Sequence, residues 1–184
     1  MAKFLIKNAR LSFPAIFQPQ AFGEGDPAYS AKFIIDPKSP AAAQIRDAVT
    51  AAASEKWGEK AAGILKSLKE DKKVCFVEAP YRNKNGDTYD GFEGKFYLSA
   101  RNADLKPTAF SASGQPVSEA DGMIYAGCYV DASVEIYAQD NKWGRRINCS
   151  LRGVRFAGHG DSFGGGTVAT ADEFGPVAEF EDFV

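Results

Sequence analysis

The sequence is poor in the residues on which most enzymes rely. Its 184 residues include one histidine and three cysteines. His159 stands in Gly158-His159-Gly160-Asp161, without the second histidine or cysteine pair that a metal site needs, and without an orienting partner or a nucleophile to activate. It reads as an exposed loop residue. No glycine-rich loop ends in Lys-Ser or Lys-Thr, which excludes phosphate-loop nucleotide hydrolysis. The expectation is a protein without enzymatic activity, cofactor or metal. Cys75, Cys128 and Cys149 are odd in number and far apart, so they read as reduced thiols, mostly buried, rather than as a disulfide framework. No apolar run approaches the ~20 residues of a membrane helix. The segment Met1 to Lys7 meets a charge after three apolar residues, too short a run for a secretory signal. A cytoplasmic location with no membrane partner follows as the expectation.

What is present suits one folded domain. Hydrophobic residues make up 45% of the chain, enough to bury a core. The net charge of -2 conceals an uneven distribution. All 22 Lys and Arg lie at or before Arg155, and residues 1–158 hold 18 acids, giving a body of +4 and a terminus of -6.

Periodicity divides the chain into strands and a helical insert. Residues 2–8 alternate, Phe4 and Ile6 against Lys3, Leu5 and Lys7, and predict a short strand. Residues 11–27, rich in Pro, Gln and Gly, read as a long connection. Tyr29 to Asp36 predicts a second strand, with Tyr29, Ala31, Phe33 and Ile35 on one face and Ser30, Lys32 and Ile34 on the other. Ser39-Pro40 then supplies an N-cap and a first-turn proline. Ile45, Ala48, Val49 and Ala52 share one helical face, and Ala61, Ile64, Leu65 and Leu68 predict a second helix. Strands return from Val74: Asn85-Gly86 marks the tip of a basic hairpin, Lys95 to Arg101 is a strand, and two longer ones cover Tyr125 to Gln139 and Arg145 to Phe156. From Gly158 onward, Gly, acids and Phe with little periodicity read as a tail.

The predicted fold class is mainly β, an OB-fold barrel over residues 1–157, with an inserted pair of helices at about 39–70. A flexible acidic C-terminal tail, 158–184, completes the chain. Periodicity alone leaves another antiparallel α+β arrangement open.

Two physical ingredients hold a single nucleic-acid strand without sequence choice: cations that follow phosphates, and rings on which bases stack at ~1–3 kcal/mol each. The strand at Lys95 combines them, since alternation places Lys95, Tyr97, Ser99 and Arg101 on the face opposite Phe96, Leu98 and Ala100. Tyr81, Arg82, Lys84, Tyr89 and Phe92 precede it, Lys32 lies on the outward face of the second strand, and Trp143, Arg145 and Arg146 form another cluster. Apart from Ser99, these twelve are the candidate nucleic-acid contacts. Tyr and Lys are also ordinary on outer strand faces, so the recurrence of the pairing carries the reading. Tyr125, Tyr129 and Tyr137 share a face with Asp131 and Glu135, which would repel phosphate, and are left out. Asp87, Asp90 and Glu93 offer a rival reading as a carboxylate nuclease site. In the tail, Asp172, Glu173, Phe174, Glu179, Phe180, Glu181, Asp182 and Phe183 interleave acids with rings and suit a peptide that presents itself to a partner.

Several stretches together resemble a known family. They are Asn8-Ala9-Arg10-Leu11-Ser12-Phe13-Pro14 with Phe17, Tyr29 to Asp36, Gly91-Phe92, Leu151-Arg152-Gly153-Val154-Arg155-Phe156, and Ala171-Asp172-Glu173-Phe174. In this ordered set the chain is similar to the phage-encoded OB-fold single-stranded DNA-binding proteins, long known as a phage domain of unknown function. The resemblance implies a barrel that holds single-stranded DNA in a basic, aromatic groove during phage replication or recombination, in the bacterial host cell. It also implies that the tail, Asp172 to Val184, recruits replication or recombination proteins and occupies the groove when DNA is absent. A phage structural or decoration protein built on a β-barrel is the other binding-module reading.

Overall fold

The alternation at the N-terminus extends well past residue 8. In the computed structural model, which describes residues 2–21 and 24–163, β1 runs Ala2–Gln20. It pairs antiparallel with β6 (Tyr129–Asn141) along its first half and with β2 (Ala28–Ile35) along its second. The connection read over 11–27 is therefore corrected: residues 11–20 are strand. The reason lies in two irregularities, where the register shifts between Ile6 and Ala9 and again between Ser12 and Ala15. Asn8 (φ 55°) and Phe13 (φ 47°) adopt the left-handed conformation there. Bulges of this kind break the two-residue period and bend the strand, and Pro14 is tolerated at one because no ladder amide is required of it.

The insert follows the capping logic of its sequence. Ser39 Oγ accepts from the Ala42 amide at 3.4 Å, and Pro40 opens α1 (Pro40–Trp57). Ala42, Ile45, Val49, Ala52 and Ala53 are its buried residues. One 3-10 turn, Gly58–Lys60, leads into α2 (Ala61–Glu70), which buries Ala61, Leu65 and Leu68. Trp57 donates through Nε1 to Asp140 at 2.8 Å and so fastens the end of α1 to the end of β6.

After the insert come β3 (Phe76–Val77), β4 (Phe96–Asn102), β5 (Thr108–Phe110), β6 and β7 (Gly144–Gly158). Their order in the sheet is β3-β4-β2-β1-β6-β7-β5, and β4 also meets β7 through one parallel bridge, Arg101 to Ser150. That bridge closes β4, β2, β1, β6 and β7 into a five-stranded barrel, an OB-fold with its helices inserted between β2 and β3. Ile6, Leu11, Phe33, Leu98, Val130, Ile136 and Leu151 fill it and are essentially inaccessible. Cys75, Cys128 and Cys149 are free and buried, and burial pushes the Cys75 thiol up to about 12. No helix among the described residues is long and apolar enough to cross a membrane.

Two boundaries differ from the periodic reading. The last long antiparallel pair starts at Tyr129 rather than Tyr125, because a turn closes before it: the Cys128 amide reaches the Tyr125 carbonyl at 3.2 Å, and Gly127 has φ 109°. Residues 159–163, which the pattern assigns to the tail, lie against the barrel. Tyr125 Oη donates to the Gly160 carbonyl at 3.0 Å, the Phe163 amide donates to Ala126 at 3.0 Å, and Arg10 donates to the Asp161 carbonyl at 2.9 Å. A Cβ on Gly127 would run into that Asp161 carbonyl, so the close approach requires glycine. The tail candidates from Asp172 to Phe183 lie outside the described residues.

Candidate nucleic-acid interface

Where β4 and β7 meet, the outer surface of the barrel opens into a cleft of about 1060 Å³. Alternation along β4 turns Tyr97, Ser99 and Arg101 outward while Leu98 and Ala100 enter the core. The facing wall comes from the outer faces of β6 and β7, where Tyr137 pairs with Asn148 and Gln139 with Arg146. The segment 79–83 brings Tyr81 and Arg82 to the rim, and Lys72 and Lys73 enter from the end of the helical insert.

The electrostatics of the cleft are one-sided. Lys32, Lys72, Lys73, Arg82, Arg101 and Arg146 line it, against the single carboxylate of Asp104. Among the described residues none of these six cations forms an ion pair, whereas Lys95 is paired with Asp36 at 3.5 Å and Arg145 with Asp140 at 3.3 Å, both outside the cleft. A mild overall charge thus coexists with a concentrated positive lining.

The rings at one end of the cleft form a packed platform. The Tyr81 ring stacks on Tyr89 at 4.9 Å and meets Tyr97 at 5.0 Å. Phe92, fully buried, packs edge-on against Tyr97 at 5.8 Å and Tyr81 at 5.6 Å. Phe13 abuts Tyr89 at 5.0 Å and Tyr81 at 5.7 Å, aimed there by its left-handed backbone at the bulge. The loop that carries Tyr81 and Tyr89 is shaped by its own turn. Asn83 Oδ1 accepts from the Asn85 and Asp87 amides, Gly86 has φ 86°, and the Tyr89 amide donates to the Tyr81 carbonyl at 3.0 Å. Burial, and then the neighbouring tyrosine, raises both Tyr81 and Tyr97, so both stay neutral near pH 7.

The twelve candidates separate accordingly. Lys32, Tyr81, Arg82, Tyr97, Arg101 and Arg146 line the cleft. Tyr89 stands behind Tyr81, and Phe92 has no accessible face on which a base could lie, so it supports the platform from below. Lys84 sits at the exposed hairpin tip, and Lys95 and Arg145 are engaged with carboxylates outside the cleft. Trp143 is 78% exposed at the tip joining β6 to β7, beyond Arg146, with Lys142 Nζ 5.1 Å from its ring.

Sequence reasoning missed Tyr137, Lys72 and Lys73. Alternation alone leaves Tyr137 out, because Asp131 and Glu135 share its face. Both acids are neutralised: Asp131 accepts from Arg155 at 2.6 Å and Glu135 from Arg152 at 3.4 Å. Burial alone would raise Asp131, but hydrogen bonds from Arg155 and the Asn8 amide, with the charges of Arg155 and Lys7, hold it below the usual carboxylate range. The cross-strand arginines, visible only once β6 and β7 are in register, were the missing signal. Lys72 has φ 58° in the turn that leaves α2, and only that turn directs the pair toward the cleft.

The remaining chemistry does not converge. Glu93 is occupied by the Gly91 amide at 3.1 Å, and among the described residues no three His, Cys, Asp or Glu gather as a metal site. His159 Nδ1 lies 3.0 Å from Tyr125 Oη on the exposed segment after β7.

Comparison with known proteins adds an independent line. Residues 2–184 match the family model described as Enterobacter phage Enc34, ssDNA-binding protein. "Putative protein p50" of Acyrthosiphon pisum secondary endosymbiont phage 1 is 38% identical over 185 residues, 98% of this chain and 96% of that protein. Among solved structures, the single-stranded DNA-binding protein from bacteriophage Enc34 in complex with ssDNA superposes with a TM-score of 0.70 at 20% identity, over 88% of this chain and 89% of that one. Gp2.5, a single-stranded DNA-binding protein encoded by bacteriophage T7, gives a TM-score of 0.58 at 12% identity, over 92% and 99%. At such identities the superpositions speak for the fold, a barrel with the same layout.

Proposed function

Because the chain belongs to the Enc34 single-stranded DNA-binding protein family, we propose that it binds single-stranded DNA along the cleft between β4 and β7, without strong sequence preference and without catalysis. The observation that carries this reading is the lining itself: six cations with no ion-pair partner among the described residues, beside the rings of Tyr81, Tyr97 and Tyr137. The cations displace counterions from the strand's phosphates, and bases stack on the rings whatever their identity. If five or six of these cations met phosphates, the logarithm of affinity would fall with the logarithm of salt with a slope of about -4, at about 0.7 per phosphate on a single strand. A protein of this kind coats a strand, protects it and removes hairpins. We place that role in phage replication or recombination, in the host cytoplasm. The acid- and Phe-bearing segment from Asp172 to Phe183 would recruit partner proteins and compete for the cleft.

The test is a fluorescence titration against oligo-dT of about 30 nucleotides, a length that spans at least one OB-fold site. A duplex of the same length is the control, at low and moderate salt. Tight, salt-sensitive binding to the single strand supports the reading. Absence of binding, also after deletion of residues 164–184, overturns it and favours a structural role for the barrel. Deletion of those residues should tighten DNA binding at low salt, and unchanged affinity would remove the competition.

A further inference from the structure

Lys32 differs from every other cation in the cleft. It stands on β2 directly opposite Ser99 of β4, and its ammonium donates to Ser99 Oγ at 2.8 Å. The same Nζ lies 4.6 Å from the centre of the Tyr81 ring and 5.3 Å from that of Tyr97. Among the described residues no carboxylate pairs with it. Its hydrogen-bonding capacity is thus spent on one hydroxyl and two ring faces, and burial lowers its pKa below the ordinary lysine value. The ammonium therefore faces the cleft already engaged by the hydroxyl and the rings.

Resting on the proposed DNA reading, we infer that Lys32 acts on DNA through Tyr81 and Tyr97, as a positioning residue that strengthens base stacking on those rings rather than as a phosphate contact. An aromatic face is electron-rich, and two such faces laid together repel. A cation held against one side of a ring draws π density toward itself. The ring's remaining exposed surface becomes less negative and accepts a base more readily, above all on Tyr97, since Tyr81 is already stacked against Tyr89. The ammonium also pins both rings in a single tilt, 49° apart, so the platform is ordered before DNA arrives. Lys32 therefore contributes affinity without contributing a neutralised phosphate.

The counterion term separates the two roles. Full-length wild type, Lys32→Met and Arg101→Met are titrated with oligo-dT across a salt series, and with a strand of equal length that lacks bases. Lys32→Met should bind oligo-dT about tenfold more weakly, the scale of losing much of one stacked base, with an unchanged salt slope. Arg101→Met should shorten the slope by about 0.7. On the baseless strand Lys32→Met and wild type should bind equally, because the rings have nothing to stack upon. Lys32→Gln undergoes the same measurements, so the result does not depend on the folding of one variant. A slope shortened by about 0.7 in the Lys32 variants, a loss that persists on the baseless strand, or no loss on oligo-dT each overturns the inference. Failure of the wild type to prefer oligo-dT over duplex is a different outcome and strikes the DNA reading itself.

Discussion

Replacing Tyr137 by alanine separates stacking from folding more cleanly than any other substitution in the cleft. The ring is half-buried on the outer face of β6, across from Asn148, and makes no ring–ring contact among the described residues. Its core-facing neighbours Ile136 and Ala138 stay in place, so the barrel loses only a surface side chain, a change that typically stays within about 0.5 kcal/mol. A stacked base is worth about 1–3 kcal/mol, which corresponds to affinity lower by roughly 5- to 150-fold. No charge is removed, so the salt slope should stay the same. The measurement pairs an oligo-dT titration at two salt concentrations with a thermal melt. Tyr129→Ala is the matched control, on the same strand but outside the cleft, beside Arg10. Wild-type affinity in Tyr137→Ala, or an equal loss in Tyr129→Ala, would refute the assignment of the β6–β7 face to DNA.

Phe92→Ala should destabilise the protein by about 3–5 kcal/mol, the usual cost of truncating a buried Phe, and weaken DNA binding through collapse of the platform; chemical denaturation checks the first effect. Arg146→Met should shorten the salt slope by about 0.7, while Arg145→Met, whose arginine pairs with Asp140 away from the cleft, should leave it unchanged. Asp131 is held below its unfolded pKa, so its contribution is present above about pH 4 and fades as the pH falls through its lowered folded value. Asp131→Asn should accordingly be less stable than wild type at neutral pH and converge on it in acid. A gap that widens on acidification in a pH series of melts would contradict the assignment.

Much of the fold was legible because its signals are local. Ser39-Pro40, the apolar spacing around Ile45 and Leu65, and Asn85-Gly86 each act within a few residues, and each lies where its pattern places it. The length of β1 was not legible, since left-handed residues at Asn8 and Phe13 interrupt the alternation from which a strand is read. The site divided in the same way. Tyr97 and Arg101 were visible from one strand's alternation, whereas Tyr137 depended on which arginines cross from β7 to silence Asp131 and Glu135. Phe92 shows the converse limit: composition placed it among the binding rings, but only packing reveals that other side chains cover it.

Strands β4 and β7 meet directly through one parallel rung between Arg101 and Ser150, and the cleft lies over that rung. The other four joints of the barrel are longer antiparallel ladders. Beside that rung only the short segment 73–75 spans the gap, bonded to Ile147 on one side and to Ser99 on the other. Closure along this seam, under the proposed ligand, therefore rests on fewer backbone bonds than the long ladders carry, and the wall should breathe there first. An occupant of the cleft touches both margins of that seam and staples it shut. Amide exchange near Ser150 would slow on loading, and the melting temperature would climb with strand concentration.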